Sequence, residues 1–255
     1  MAHPDTATLA TLYQRLRRPP RAHSVAGSLP VLFFGDLFSA QITTVGINPS
    51  DQEYLDGQGS ELDGAARRFE TLSSLHASSR QTLTNAQCAQ AIATMRSYFA
   101  RSSTVYRWFR SLERVLVGMG YTYSKGQIAH LDLVQEATTP TWSALQRSHR
   151  SEADNLFADD LPFLQWQIAK FPLRAVICNG MTVFRSVCGL LDQSVEIANS
   201  SLARVTWYAT RGQMSGRTIT VVGWNIPLAR PTGLGKVGEG TLGHTLAAYI
   251  EPPQQ

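Results

Sequence analysis

LPVLFFGDLFSAQITTVGINPS, residues 29–50, holds two apolar runs on either side of Gly35-Asp36 and ends in Gly-Ile-Asn-Pro-Ser. The first run, Val31 to Phe34, and the second, Gln41 to Gly46, predict a strand, a turn and a strand, that is, an N-terminal β-hairpin. Its second strand runs out into an Asn-Pro loop. Upstream, ATLATLYQRLRR (7–18) has helical spacing and stops at Pro19-Pro20. Downstream, residues 61–120 read as helical in three pieces, ARRFETLSSL, QCAQAIATMRSYFA and YRWFRSLERVLVGMG, the last closed by Gly118 and Gly120. A short apolar strand from Gln127 to Val134 follows, then the amphipathic helix ADDLPFLQWQIAKF, the buried strand RAVICNG and the helix MTVFRSVCGLL. Residues 202–210 and 217–224 read as strands joined by RGQMSG, PTGLGKVGEG as a glycine-rich loop, and TLGHTLAAYI as the last helix.

Strands alternating with helices imply the α/β class. The expected architecture is a three-layer α/β/α fold whose central, mostly parallel sheet has four strands, with the hairpin added. No repeat or linker-like tract divides the chain, so residues 1–255 are expected to form a single domain, with 1–28 as an N-terminal helical extension.

Composition narrows the class. Hydrophobic residues make up 43% of the 255 and charged residues only 16%, against roughly 25% charged in an average soluble protein, which disfavours a disordered tail or a charged coiled coil. No apolar run approaches the roughly 18 residues of a membrane span, and the start lacks the basic and apolar regions of a signal peptide. Cys88, Cys178 and Cys188 are odd in number and scattered, which fits a reducing cytoplasm and a bacterial or phage-encoded protein. Without a CxxC or HxxxH pair, neither a metal nor a cofactor is expected. The net charge is +4, and the 23 basic residues divide into 20 Arg and 3 Lys. Arg suits phosphate contacts, although Arg-rich codon usage accounts for most of such a skew.

In open α/β sheets, ligands bind beyond the carboxyl ends of the strands. Here those ends are Gly46–Ser50, Asp132–Thr138, Asn179–Gly180 and Trp224–Pro227. VGINPS, AHLDLVQEATTP and GWNIPLARPTGLG, in that order, resemble motifs of the uracil-DNA glycosylase superfamily. GINPS is similar to the first motif of its mismatch-specific uracil/thymine branch. The resemblance spans about residues 30–250. Asn225-Ile226-Pro227 stands where many members carry His-Pro-Ser, so leaving-group stabilisation departs from the pattern.

The resemblance implies a DNA glycosylase, acting as a monomer on DNA, that flips a base out of the duplex and hydrolyses its N-glycosidic bond. Asn48 would hold the attacking water through its amide oxygen. Ile47, Pro49, Ser50, Phe69 and Asn225 would line the base pocket, with Phe69 as the stacking platform ahead of Tyr54 and Trp108. Members that take uracil usually have Asn at the position of Asp132. A carboxylate only accepts, so Asp132 suits the N4 amino group of cytosine, and in its protonated form it could load a proton onto N3. Ser50 replaces a bulky Tyr of some uracil-specific relatives and leaves room at C5. The two positions together point to a 5-substituted cytosine of the kind phages make, excised for repair or antiviral defence. His130, two residues before Asp132 on the strand, reads as a hydrogen-bonded core histidine.

Leu228 and Leu234 would serve as minor-groove wedges beside Arg230 and Lys236 in a flexible basic loop. Arg67, Arg68, Arg80, Arg101, Arg107, Arg110 and Arg114 could track phosphates, with Asp154, Asp159 and Asp160 forming an acidic patch turned away from DNA. Three alternatives remain at this level. They are a non-catalytic DNA-binding module, a uracil/thymine mismatch glycosylase, and a nucleoside or nucleotide hydrolase, which wants an Asp-rich calcium site near the first strand where only Asp36 and Asp51 are available.

Overall fold

The computed structural model describes residues 4–101, 107–228 and 232–250. It is a mixed α/β structure with a six-stranded, mostly parallel sheet, two strands more than expected. The elements follow in the order α1 (Thr6–Leu16), β1 (Ile42–Gly46), α2 (Asn85–Arg96), α3 (Arg110–Gly118), β2 (Ile128–Asp132), α4 (Trp142–Ser148), α5 (Arg150–Lys170), β3 (Ala175–Cys178), α6 (Met181–Cys188), β4 (Asp192–Leu202), β5 (Val205–Met214), β6 (Arg217–Trp224) and α7 (Gly235–Ala247). The strand order is β2-β1-β3-β6-β5-β4. β1 pairs with β3, and β3 with β6, in parallel, while β5 and β4 add on antiparallel.

The chain divides into two compact units, each built from three separate stretches: 1–34, 47–98 and 132–164 in the first, 35–46, 99–131 and 165–255 in the second. The sheet belongs to the second. Every residue of β1 and β3 is buried, as expected of strands covered on both faces, which read as continuous β-branched runs. Two threonines inside β1 satisfy their hydroxyls within the unit: Thr43 Oγ1 donates to Ala129 O at 3.1 Å, and Thr44 Oγ1 lies 2.7 Å from both Tyr123 Oη and His130 Nδ1.

Four sequence expectations change. The N-terminal hairpin is absent, because the neighbours of β1 are β2 and β3. Instead Val31 N donates to Gln135 O at 2.8 Å, and that backbone pairing takes residues 31–34 away from β1. Residues 67–75 are not helical. The 3-10 turn Gly64–Ala66 ends at Arg67, and Thr71 and Ser74 then bond each other's backbone through their hydroxyls at 2.9 and 3.1 Å, an alternative to helix that such side chains favour.

The third change concerns RGQMSG, most of which extends β5. Only Ser215 and Gly216, both at positive φ (51° and 76°), make the turn into β6, as two-residue hairpins require. The last concerns the glycine-rich segment, most of which is α7 rather than loop. Its glycines permit close packing on α3: a Cβ at Gly243 would stand 2.0 Å from Val115 O, and one at Gly118 would stand 2.2 Å from Gly240 O.

In the first unit α1 is built into the core rather than appended to it, with Leu12 and Leu16 at 0% exposure. Its buried Arg15 reaches both Gln135 and Asp160. A second buried pair lies deeper, where Arg80 grips Glu136 through two bonds, 2.7 and 2.9 Å. Val134, Trp142, Leu145, Ala153 and Leu156 form an apolar cluster in the same unit.

Candidate functional site

The Gly46–Ser50 loop leaves the buried end of β1 and enters the first unit. Ile47 O accepts from Val134 N at 2.9 Å, which ties the residue before Asn48 to the chain two residues past Asp132. Ile47 also packs on the Val134–Leu156 cluster, and Pro49 is buried. These two hold the loop rather than present open surface. Asn48 is half-buried. Its Nδ2 donates to Pro49 O (2.9 Å), to Thr138 Oγ1 (3.2 Å) and to Glu136 O (3.3 Å). With the nitrogen so anchored, Oδ1 is the atom left to accept from a water or ligand.

Ser50 caps a 3-10 turn, Asp51–Glu53, through its Oγ. That turn swings Glu53 inward to 3% exposure, where Tyr98 Oη donates to Glu53 Oε2 at 2.9 Å and Arg68 Nη1 stands 3.7 Å away. Burial pushes the Glu53 carboxyl up to about 7. Arg68 and Tyr98 work against the rise, and the nearby charge of Asp132 adds to it. Asp132 is itself buried, at 3%, at the end of β2. Gln135 Nε2 donates to its carbonyl at 3.1 Å. The first unit therefore holds Asn48 and two buried carboxyls, Glu53 and Asp132.

Phe69 is 1% exposed and sits in an aromatic cluster. It stacks on Tyr98 at 5.1 Å (15° between planes), meets Phe34 edge-on at 5.2 Å and lies 5.8 Å from Tyr54. One ring face is thus covered by Tyr98. Tyr54 gives its hydroxyl to Leu29 O at 2.6 Å, and burial drives its pKa up. Trp108, the other candidate for stacking, belongs to the second unit and packs edge-on to Phe109 and His130.

Other residues fall elsewhere. Asn225, in the second unit, accepts from Thr206 N through Oδ1 at 3.0 Å, so its amide oxygen serves the backbone. Leu228 is 5% exposed, with its N–H on Asn179 Oδ1 at 2.9 Å; burial removes it as a ready wedge. Leu234 precedes α7 and is half-buried, and Lys236 is exposed in the first turn of that helix rather than in a loop. Arg230 lies outside the described residues. His130 is a core histidine, 1% exposed and bonded to Thr44.

Two groups assigned to the surface are structural. Arg80 is buried on Glu136, so it cannot track phosphates, and Asp160, 2% exposed, belongs to the Arg15 pair rather than to an acidic patch. Arg114 is paired with Glu239. Thiolate chemistry is not served either, since burial raises Cys178 well up and Cys188 to about 11.

Glu53 and the Arg80–Glu136 pair were missed by sequence reasoning. The one local signal for Glu53 was the Ser50 cap three residues earlier, which fixes the turn but says nothing of what surrounds it. Fold and site together define a mixed α/β protein with an anchored Asn-Pro loop and two buried carboxyls, Glu53 and Asp132. No protein-family model matches the chain, and no characterised protein matches it.

Proposed function

We propose that this chain belongs to the uracil-DNA glycosylase superfamily and is a DNA glycosylase that flips and hydrolytically excises a 5-substituted cytosine. The observation that carries the reading is Asn48: three acceptors fix its amide nitrogen while Oδ1 stays available to hold a water. Hydrolysis at the sugar needs such a positioned nucleophile. Cytosine is a poor leaving group unless N3 gains a proton. Glu53, raised to about 7 beside Asp132, supplies a group that keeps a proton at neutral pH while Asp132 accepts from N4. A carboxyl that keeps its proton near neutrality serves protonation of N3, a step that uracil excision does not require. Ser50, occupied with its cap, puts no bulk at the base.

The test is to incubate purified protein with DNA carrying uracil, cytosine, 5-hydroxymethylcytosine or its glucosylated form, and to identify any freed base by mass. Release of a substituted cytosine, slowed about 100-fold or more in Asn48→Ala, is expected. Release of uracil alone, or of no base at all, would overturn the proposal.

A further inference from the structure

Three ligand-type side chains from distant parts of the sequence meet in the first unit. His23, His149 and Glu152 each offer one ligand atom, and these atoms all lie within 4.8 Å of one another. The two imidazoles face each other at 4.5 Å between centroids, with planes inclined by 37°. His149 Nδ1 is 3.9 Å from Glu152 Oε2. The local structure explains the convergence. His149 is the residue on which α4 ends, and Glu152 stands in the first turn of α5, so the i,i+3 spacing turns both to one side. His23 is held in the left-handed region at φ 66°, and its carbonyl accepts from Thr139 N at 2.9 Å. Among the described residues neither imidazole makes a hydrogen bond, so the ring lone pairs are available.

We propose that His23, His149 and Glu152 form a binding site for a divalent transition-metal ion, Zn2+ in the first place. Two imidazole nitrogens and one carboxylate oxygen suit Zn2+, Ni2+ or Cu2+, whereas Mg2+ and Ca2+ want oxygen ligands throughout. Metal–ligand lengths of about 2.0–2.2 Å put ligand atoms up to roughly 4 Å apart. Closing the cluster from its present spread, within 4.8 Å, asks for a contraction of about 1 Å. His149 and Glu152 are 45% and 40% exposed, which gives an ion an entry path and leaves a fourth position for water.

The ion would act as a clip. The segment carrying His23 also pairs Val25 N with Ala137 O at 2.9 Å and Ser24 Oγ with Glu136 Oε2 at 2.9 Å. Residues 136 and 138 in turn anchor the Asn48 amide. Metal binding would thus tighten the support beneath Asn48 without taking part in a reaction, and the site stands whether or not Asn48 serves catalysis.

The experiment uses the full chain without a histidine tag, stripped with a chelator and titrated with Zn2+, and with Co2+ for its visible absorption. One equivalent per chain is expected, with a thermal midpoint that rises with Zn2+ concentration and no competition from Mg2+. His23→Ala and His149→Ala should each weaken binding by more than the roughly 10- to 100-fold that loss of an outer-shell partner costs, and Glu152→Gln should do likewise. Because His149 and Glu152 are half-exposed, their metal-free variants should melt with the metal-free wild type, which separates lost ligation from lost folding. Absence of stoichiometric Zn2+ binding, or binding kept in the His23→Ala/His149→Ala double variant, would overturn the site.

Discussion

Glu53→Gln should remove a pH dependence of stability that the wild-type chain owes to one buried carboxyl. Desolvation lifts this group from 4.5 to about 7, with Arg68 and Tyr98 opposing and Asp132 assisting. In the unfolded chain the same carboxyl ionises near its ordinary value. Between the two values the folded chain binds one proton more than the unfolded chain, so stability falls as pH rises, by up to about 1.4 kcal/mol per pH unit. The contribution is whole below the unfolded value of 4.5 and is lost as pH passes about 7. The full shift corresponds to about 3 kcal/mol.

Gln keeps the shape of the side chain and a carbonyl acceptor for Tyr98 Oη but cannot ionise. Urea unfolding at intervals from about pH 5 to about pH 8 should therefore show the variant gaining on the wild type by about 2–3 kcal/mol across the series, at unchanged m-value. Parallel stability curves would refute the reasoning, because they would mean that Glu53 ionises alike in both states. The same titration bears on activity: release of a substituted cytosine by the wild type should decline as pH rises through about 7.

Arg80→Met should destabilise the fold by about 3–5 kcal/mol in urea unfolding, since it strands Glu136 in the interior. Adding Glu136→Leu should recover most of that loss, and a double variant no more stable than the single would count against a desolvation cause. Gly243→Ala should cost about 1–3 kcal/mol, because its new methyl would stand 2.0 Å from Val115 O and force α3 from α7. Gly240→Ala, whose Cβ meets nothing within 4 Å, should be neutral or stabilising by up to about 1 kcal/mol through helix propensity. Equal thermal midpoints for the two alanine variants would contradict the packing account.

The parts of the fold legible in the sequence are those in which local chemistry and burial agree. Continuous β-branched runs gave β1, β3 and β6 away, Pro19-Pro20 bounded α1, and the polar ends of β1 and β2 marked Asn48 and Asp132. β4 escaped because nine of its eleven residues, Val195 among them, are exposed on the edge of the sheet, so no apolar pattern sets it apart from loop. The first half of α7 escaped because glycines read as loop by propensity, yet here they are what lets two helices touch. Residues 67–75 misled in the other direction, their helical spacing losing to hydroxyl–backbone bonds.

For the site the division is the same. By itself the sequence determined which residues end the strands and what hydrogen bonds each could make, because those depend on residue type and a few neighbours. Only the tertiary structure decided that Asn48 is anchored by Glu136 and Thr138, that Glu53 keeps a proton near neutrality, that Arg80 is spent on Glu136, and that two histidines meet Glu152. Each of these depends on partners far away in the chain and on the removal of water around them. The strength of a charge or a hydrogen bond is set by that surrounding, which no local stretch of sequence contains.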